Sequence, residues 1–402
     1  MNTARFDRGF TLIELLVVMG ILSRFLTLLV HRVDGGLVVF RDGELGQELA
    51  DRAARAQHVV RRELLRLRGS AVGRERERVD DRLVVQLLPI GLPAEPERDA
   101  TRVQVLRGAC RLDVERELRI VDELLAARAL AEDPTRTPEA IVAAVEEQRG
   151  VGNLLLVPWR QEGPDDALLE LRCGWFLPGQ VFPAGPDRWV DPFEVPVPGS
   201  PDLPGLTVYQ LTEPILQDLL HVEFALWSQA TTSWGDARGP LTLAGARAAT
   251  PKELPQPVWD SARGGWLVDR FAGGEFAFDV GPASEQDPTD DIHPHAILVR
   301  IVVARPADAP AEGLLAAPLG AEDTSLTLVD GNAFPGDPDG GMLKLDGEWL
   351  SYAERDGDRL LGLRRAQRAT KALEHAPGTR VHVGRTVEFV VPILHHKDDW
   401  NG

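Results

Sequence analysis

Cysteine is nearly missing: Cys110 and Cys173 are the only two in 402 residues. That scarcity excludes a disulfide-dense scaffold and any metal site built from CxxC pairs, and leaves a single Cys110–Cys173 bridge as an open alternative. Positive charge is also in short supply. Lys and Arg total 44 against 62 Asp and Glu, a formal charge of −18, so the cationic excess of a nucleic-acid binder is lacking and nucleic acid is not an expected partner. The sequence contains no GxSxG elbow, HExxH helix, phosphate-cradling P-loop or GxGxxG turn. The common nucleophile, metalloprotease and nucleotide signatures are thereby excluded, and nothing supports enzymatic activity. Tyr (2) and Met (3) are scarce while Gly (38), Pro (30) and Trp (9) are plentiful, proportions that favour short strands and turns over a long helical bundle. With 44% hydrophobic and 26% charged residues, most of the chain is expected to fold in water as two or three units.

The exception is the apolar run at residues 10–30, FTLIELLVVMGILSRFLTLLV. As a helix its 21 residues would extend about 32 Å, enough to cross a bilayer. No small-residue cleavage site follows it, so a retained anchor is expected rather than a secretory signal. Arg5 and Arg8 precede the run and favour a cytoplasmic N-terminus, against His31 and Arg32 on the far side. Glu14 lies inside the run, where an ionisable group costs on the order of 2.5–3.5 kcal/mol and needs a compensating partner.

The segment RGFTLIELLVVMG, from Arg8 to Gly20, closely resembles the prepilin signal of type IV pilins and type II secretion pseudopilins. The resemblance implies that a prepilin peptidase cuts after Gly9, that Phe10 becomes the N-methylated first residue, and that Glu14 is the acid at the fifth mature position. The new α-amino group is cationic, so the Glu14 of one subunit can pair with the amine of a neighbour in a filament core. The implied partners are other pilin-like or pseudopilin subunits, the prepilin peptidase and the inner membrane. The implied location is single-pass in a bacterial inner membrane with the globular part periplasmic. Arg24 departs from the pattern, as a second charge where the family continues with aliphatic residues.

Beyond the anchor, Leu45, Leu49, Ala53, Ala56, Val60, Leu64 and Leu67 recur at steps of four and three, which predicts an amphipathic continuation of the helix over 31–69. Gly35 and Gly36 are expected to bend or locally melt it, and Gly69 and Ser70 to stop it. Strands are expected at 82–90 and 101–107, then an inserted pair of helices at about 112–149 broken at DPTRTP. Further strands follow at 153–157, 167–176, 206–211, 220–229, 294–303 and 386–394. The expected fold is α+β and pilin-like: a long N-terminal helix packed on an antiparallel sheet over 70–306, with a helical insertion and a small inserted β module. The stretch from His221 onward and the run 294–303 are similar, more loosely, to J-type minor pseudopilins. Trp227, Trp234, Trp259 and Trp266 read as strand-packed residues or as a groove lining.

Residues 307–385 read as a linker and a small β module, followed by a final strand and tail at 386–402. The module is similar to one appended to phage and surface proteins in which a glutamate, a tyrosine and a late histidine recur, here Glu348, Tyr352 and His375; a turn-stabilising or packing role is expected for them. Asp287, Asp290 and Asp291, and separately Asp337 and Asp339, are the oxygen-rich loops where calcium could bind, although neither order matches an EF-hand. His293, His295, His395 and His396 read as surface groups. The functional expectation is a minor pilin-like structural subunit at or near the tip of a type II secretion pseudopilus or type IV pilus; the alternative is a membrane-anchored periplasmic ligand-binding or adhesin module.

Overall fold

The computed structural model describes residues 12–68, 83–89, 102–131, 137–147, 150–161, 167–176, 212–228, 233–235, 259–261, 265–269, 276–278, 294–305, 313–331, 334, 340–368 and 370–393. Within the first helix, residues 12–15, 17–18 and 28–42 are described by backbone alone. The chain divides into two compact units, Met1–Asp51 and Arg52–Gly402.

Helix α1, Leu12–Leu64, spans 53 residues. Helical backbone continues through Gly35 and Gly36, so the melting expected there does not occur: two glycines cost about 1 kcal/mol each relative to alanine, and the flanking turns carry them. The stripe beyond residue 52 is buried at Ala53, Ala56, Val60 and Leu64, while Arg55, Arg61 and Arg62 are exposed. The helix stops at Leu64, five residues before Gly69. Leu67 instead enters a β-bridge with Cys110, and Arg68 N–H donates to the Ala109 carbonyl at 2.9 Å. Sheet pairing thus takes over the last apolar residue of the stripe.

The body of the second unit is an antiparallel sheet. In chain order its strands are β1 (Val84–Pro89), β2 (Arg102–Arg111), β3 (Val151–Arg160), β4 (Leu169–Phe176), β5 (Glu213–Ser228), β6 (Ser233–Gly235), β7 (Trp259–Asp260), β8 (Gly265–Asp269), β9 (Phe276–Phe278) and β10 (Ala296–Val303). The strand β19 (Arg385–Pro392) completes it after a long excursion of the chain. The order is β19-β10-β5-β4-β3-β2-β1-β7-β8-β9, with β6 paired to β5. In the centre, β3 is buried along Leu154, Leu155, Leu156 and Val157, the continuous apolar run of a strand covered on both faces. Toward the edge the pattern alternates: Ile297, Val299 and Ile301 are buried, while Leu298 and Arg300 between them are half-exposed. The protein is therefore α+β. The expected strand at 206–211 lies outside the described residues.

Between β2 and β3 run α2 (Val114–Ala131) and α3 (Pro138–Glu147). Asp113 caps the first, its Oδ1 accepting from Arg116 N–H at 3.1 Å. Thr137 caps the second, accepting from Ala140 N–H at 3.2 Å, with Pro138 at the first helical position where its missing N–H costs nothing.

Strand β5 begins at Glu213, earlier than the expected 220, because a bulge lets it pass Asp218. Asp218 has φ of 56°, and the register with β10 slips between Val302 and Val303. Its carboxylate receives Arg52 of α1 at 2.5 Å and Gln161 Nε2 at 3.0 Å, while its carbonyl accepts Ala304 N–H at 2.8 Å. Short polar residues tolerate the left-handed region when such local partners exist.

The excursion between β10 and β19 forms its own sheets: β11 (Gly313–Leu314), β12 (Ser325–Thr327), β13 (Gly341–Leu345), β14 (Glu348–Tyr352), β15 (Glu354–Asp356), β16 (Arg359–Leu361), β17 (Arg364–Gln367) and β18 (Arg380–His382). Five of these strands make one sheet, β11-β18-β13-β14-β17, and three make another, β12-β16-β15. They enclose a separate core around Leu326, Phe334, Leu343, Leu350, Leu360 and Val381.

Candidate functional site

In the N-terminal unit, α1 presents Leu16, Met19, Ile21, Leu22, Phe25 and Leu26 to the surface, each 51–66% exposed. At 100° per residue these positions cover most of the circumference, which is the signature of a helix that another apolar phase or other helices must surround. Arg24 is exposed among them. Among the described residues no helix is long and apolar enough to cross a membrane; the run 10–30 falls only partly within them. Gly9 and Phe10 lie outside the described residues. Glu14 sits on helical backbone, and its side chain lies outside them.

Where α1 ends, Glu63 is fully buried and held by three arginines. Arg62 Nε lies 2.8 Å from Oε1, Arg116 Nη2 donates to both oxygens at 2.9 and 3.0 Å, and Arg66 Nε is 3.5 Å from Oε2. Arg116 also donates to Asp113 at 2.6 Å and lies 4.6 Å above the Trp175 ring. Burial raises the Asp113 carboxyl, but the Arg116 N–H and guanidinium, with Arg66, hold it below the ordinary range. This cluster joins the end of α1 to the start of α2 and to β4. Sequence reasoning passed over Glu63, yet the signal was there: it sits three residues after Val60 and four before Leu67, on the apolar face.

Cys110 and Cys173 are buried free thiols, so the bridge left open above is not formed. Cys110 pairs with Gly152 on β3 and Cys173 with Leu156. A whole strand separates their backbones by roughly 9–10 Å or more, beyond the reach of a disulfide. Burial pushes Cys110 up to about 12 and Cys173 well above its usual value, which makes both poor nucleophiles.

In the β module Glu348 is again completely buried. Arg365 Nε and Nη2 grip its two oxygens at 2.8 and 2.7 Å, the N–H groups of Ala366 and Leu373 donate at 3.0 Å, and His375 Nε2 lies 3.0 Å away. The other ring nitrogen of His375 reaches Asp346 at 2.7 Å, and Arg365 also donates to the Gly320 carbonyl. Burial would raise the Glu348 carboxyl, but these donors bring it to about 2. Burial likewise depresses His375, and its two carboxylate partners outweigh that, raising it. Tyr352 stays apart, buried in the module core. Among the described residues no Ser, Cys or Thr side chain is placed in this network, and its geometry is that of a structural clamp.

The module meets the main sheet through Lys344 and Trp349. Lys344 is buried and donates to the Ala167 and Leu220 carbonyls at 2.6 and 2.9 Å. Trp349 packs with Ala167, Leu168, Leu220, Val302 and Ala304, under the Arg368 guanidinium at 4.2 Å and edge-on to His221 at 5.9 Å. Burial lowers His221 to about 4, against the pull of Glu223.

Of the other candidates, Asp287, Asp290, Asp291, Asp337, Asp339, His293, His395 and His396 lie outside the described residues. His295 is tied by its backbone, donating to Trp227 and accepting from Ile393. Among the described residues no group of three His, Cys, Asp or Glu is placed to hold a metal. The tryptophans form two cross-strand pairs, Trp227 opposite Trp234 and Trp259 opposite Trp266.

No curated protein and no solved structure matches the chain. A family model described as the prokaryotic N-terminal methylation motif matches residues 5–29. Those residues are the prepilin-type cleavage and methylation signal of pilins and pseudopilins.

Proposed function

We propose that the chain is a minor pilin-like, or pseudopilin, structural subunit that enters a type II secretion pseudopilus or type IV pilus at or near its tip. The methylation motif over residues 5–29 supports this reading, and within that span a leader arginine, Gly9, Phe10 and Glu14 stand in the order that processing would require. The peptidase cuts between Gly9 and Phe10, and residues 10–30 hold the product in the inner membrane. The exposed apolar side chains from Leu16 to Leu26 support this, since water is a costly surrounding for such a helix and lipid or neighbouring helices are not. Glu14 then pairs with the methylated amine of the next subunit, and the sheet domain with its module remains periplasmic and hinders further growth by bulk.

Intact-mass measurement of the membrane-extracted protein, made with and without active prepilin peptidase, tests the first step. The expected product lacks residues 1–9 and carries one methyl group; a full-length product in the presence of the peptidase overturns the reading. Glu14→Ala is expected to abolish capture of other pilin-like subunits while leaving the sheet domain folded.

A further inference from the structure

Arg24 is the only charged residue between Glu14 and His31, and assembly through Glu14 does not use it. It is exposed on α1 beside exposed Ile21, Leu22, Phe25 and Leu26. Gly20, Ser23, Arg24 and Thr27 follow i, i+3, i+4, i+7 spacing and so share one side of the helix. That side is low. A Cβ added at Gly20 would meet nothing within 4 Å, and the Thr27 hydroxyl turns back to donate to the Ser23 carbonyl at 2.9 Å. A second helix can approach closely over such residues, and it would then cover the guanidinium. Covered by apolar side chains alone, the charge costs on the order of 2.5–3.5 kcal/mol.

We infer that Arg24 is a partner-selecting cation, and that it takes a pilin-like subunit of different sequence whose apolar helix carries an Asp or Glu at the level of Arg24. The inference rests on the assembly reading above, because the register comes from Glu14. If Glu14 is level with a neighbour's first mature residue, adjacent helices are offset by four residues, about 6 Å. Arg24 is then level with Gly20 of an identical copy on one side and with Leu28 of an identical copy on the other. From either level the nearest acid, Glu14 or Asp34, is six residues distant, about 9 Å along the axis, with a further 8–10 Å or so between helix axes. A second copy therefore supplies no direct ion pair. Self-stacking strands the charge, and this bias against the wrong partner suits a subunit used singly.

The test uses the processed chain, residues 10–402, in detergent micelles, tagged as bait, and a second, differently tagged copy as probe. Wild-type bait is expected to retain little wild-type probe and roughly tenfold more of a Gly20→Glu or Leu28→Glu probe, the ratio that about 1.4 kcal/mol of pairing produces. Arg24→Leu in the bait is expected to erase that gain and to raise retention of the wild-type probe. The inference is overturned if both acidic probes are retained no better than wild type, or equally well by the Arg24→Leu bait. Intact mass on the same samples reads processing separately, so a failure of the proposed function is distinguishable from a failure of Arg24 pairing.

Discussion

Glu348 and His375 lie 3.0 Å apart inside the β module, each with a further charged partner: Arg365 for the glutamate and Asp346 for the histidine. Removing the carboxylate leaves Arg365 and His375 facing each other without their shared counter-charge. Glu348→Gln is therefore expected to cost about 3–5 kcal/mol, the usual result of breaking one side of a buried pair. The effect has a defined pH window. Glu348 titrates at about 2 in the folded protein against an ordinary 4.5, so its contribution is complete above 4.5 and is lost as pH falls through 2. His375 is raised above its ordinary 6.5, so its contribution is complete below 6.5 and is lost as pH rises through the folded value. Urea unfolding of wild type and variant across pH should show the widest gap between 4.5 and 6.5. A gap independent of pH would contradict the ionic account.

The module is held to the sheet by two features with different chemistry. Lys344→Met keeps the volume but removes the ammonium that donates to the Ala167 and Leu220 carbonyls, at an expected cost of about 1–3 kcal/mol. Trp349→Ala opens a cavity among Leu168, Leu220 and Val302 and should cost about 3–5 kcal/mol. Both should make the module more susceptible to protease than in the wild type. Unchanged cleavage and melting temperature in Trp349→Ala would mean that the module does not depend on this contact.

His221 sits in the same contact, and its folded value of about 4 lies below the ordinary 6.5. The neutral ring is the one the folded protein accepts, so stability is full above 6.5 and declines as pH falls from 6.5 toward 4. The titrating neighbours are Glu223, which opposes this shift, and the cations Lys344 and Arg368, which reinforce it. His221→Phe should flatten the loss of stability between pH 6.5 and 4, as read from melting temperatures in that range. A variant with the wild-type slope would assign the acid sensitivity elsewhere.

The elements that could be read from the sequence were those governed by local rules. Thr137 and Pro138 announce the start of α3 by capping chemistry. The run Asn153 to Val157 announces a strand buried on both faces. What could not be read depends on residues distant in sequence. Lys344 alternates with core residues Leu343 and Leu345, so its pattern points to solvent; only the carbonyls of Ala167 and Leu220, more than 120 positions away, make it an interior group. Asp218 looks like the end of a strand and instead lies in a bulge inside one, where the pairing of β5 with β4 slips, stabilised by Arg52 and Gln161. The module's glutamate and histidine were legible as a recurring pair, but their meeting required β14 and the stretch after β17 to fold against one another.

Glu63 offers the remaining test, because it links the N-terminal helix to an insertion whose sequence gives no hint of the link. With Arg62, Arg66 and Arg116 converging on it, the carboxylate neutralises a cluster that would otherwise repel itself between the end of α1 and the start of α2. Glu63→Gln keeps the shape and removes the charge, and is expected to cost about 3–5 kcal/mol. The thiols report where the damage falls. Cys110 bridges with Leu67 just beyond α1, and both cysteines are buried and free. Neither should react with a thiol reagent in the native wild-type protein, and both should do so in denaturant, without prior reduction. In Glu63→Gln, loosening of the α1 end should speed modification of Cys110 ahead of global unfolding. If Cys110 stays protected until the whole protein unfolds, the cluster does not hold the helix end in place, and Glu63 acts on stability only through the fold as a whole.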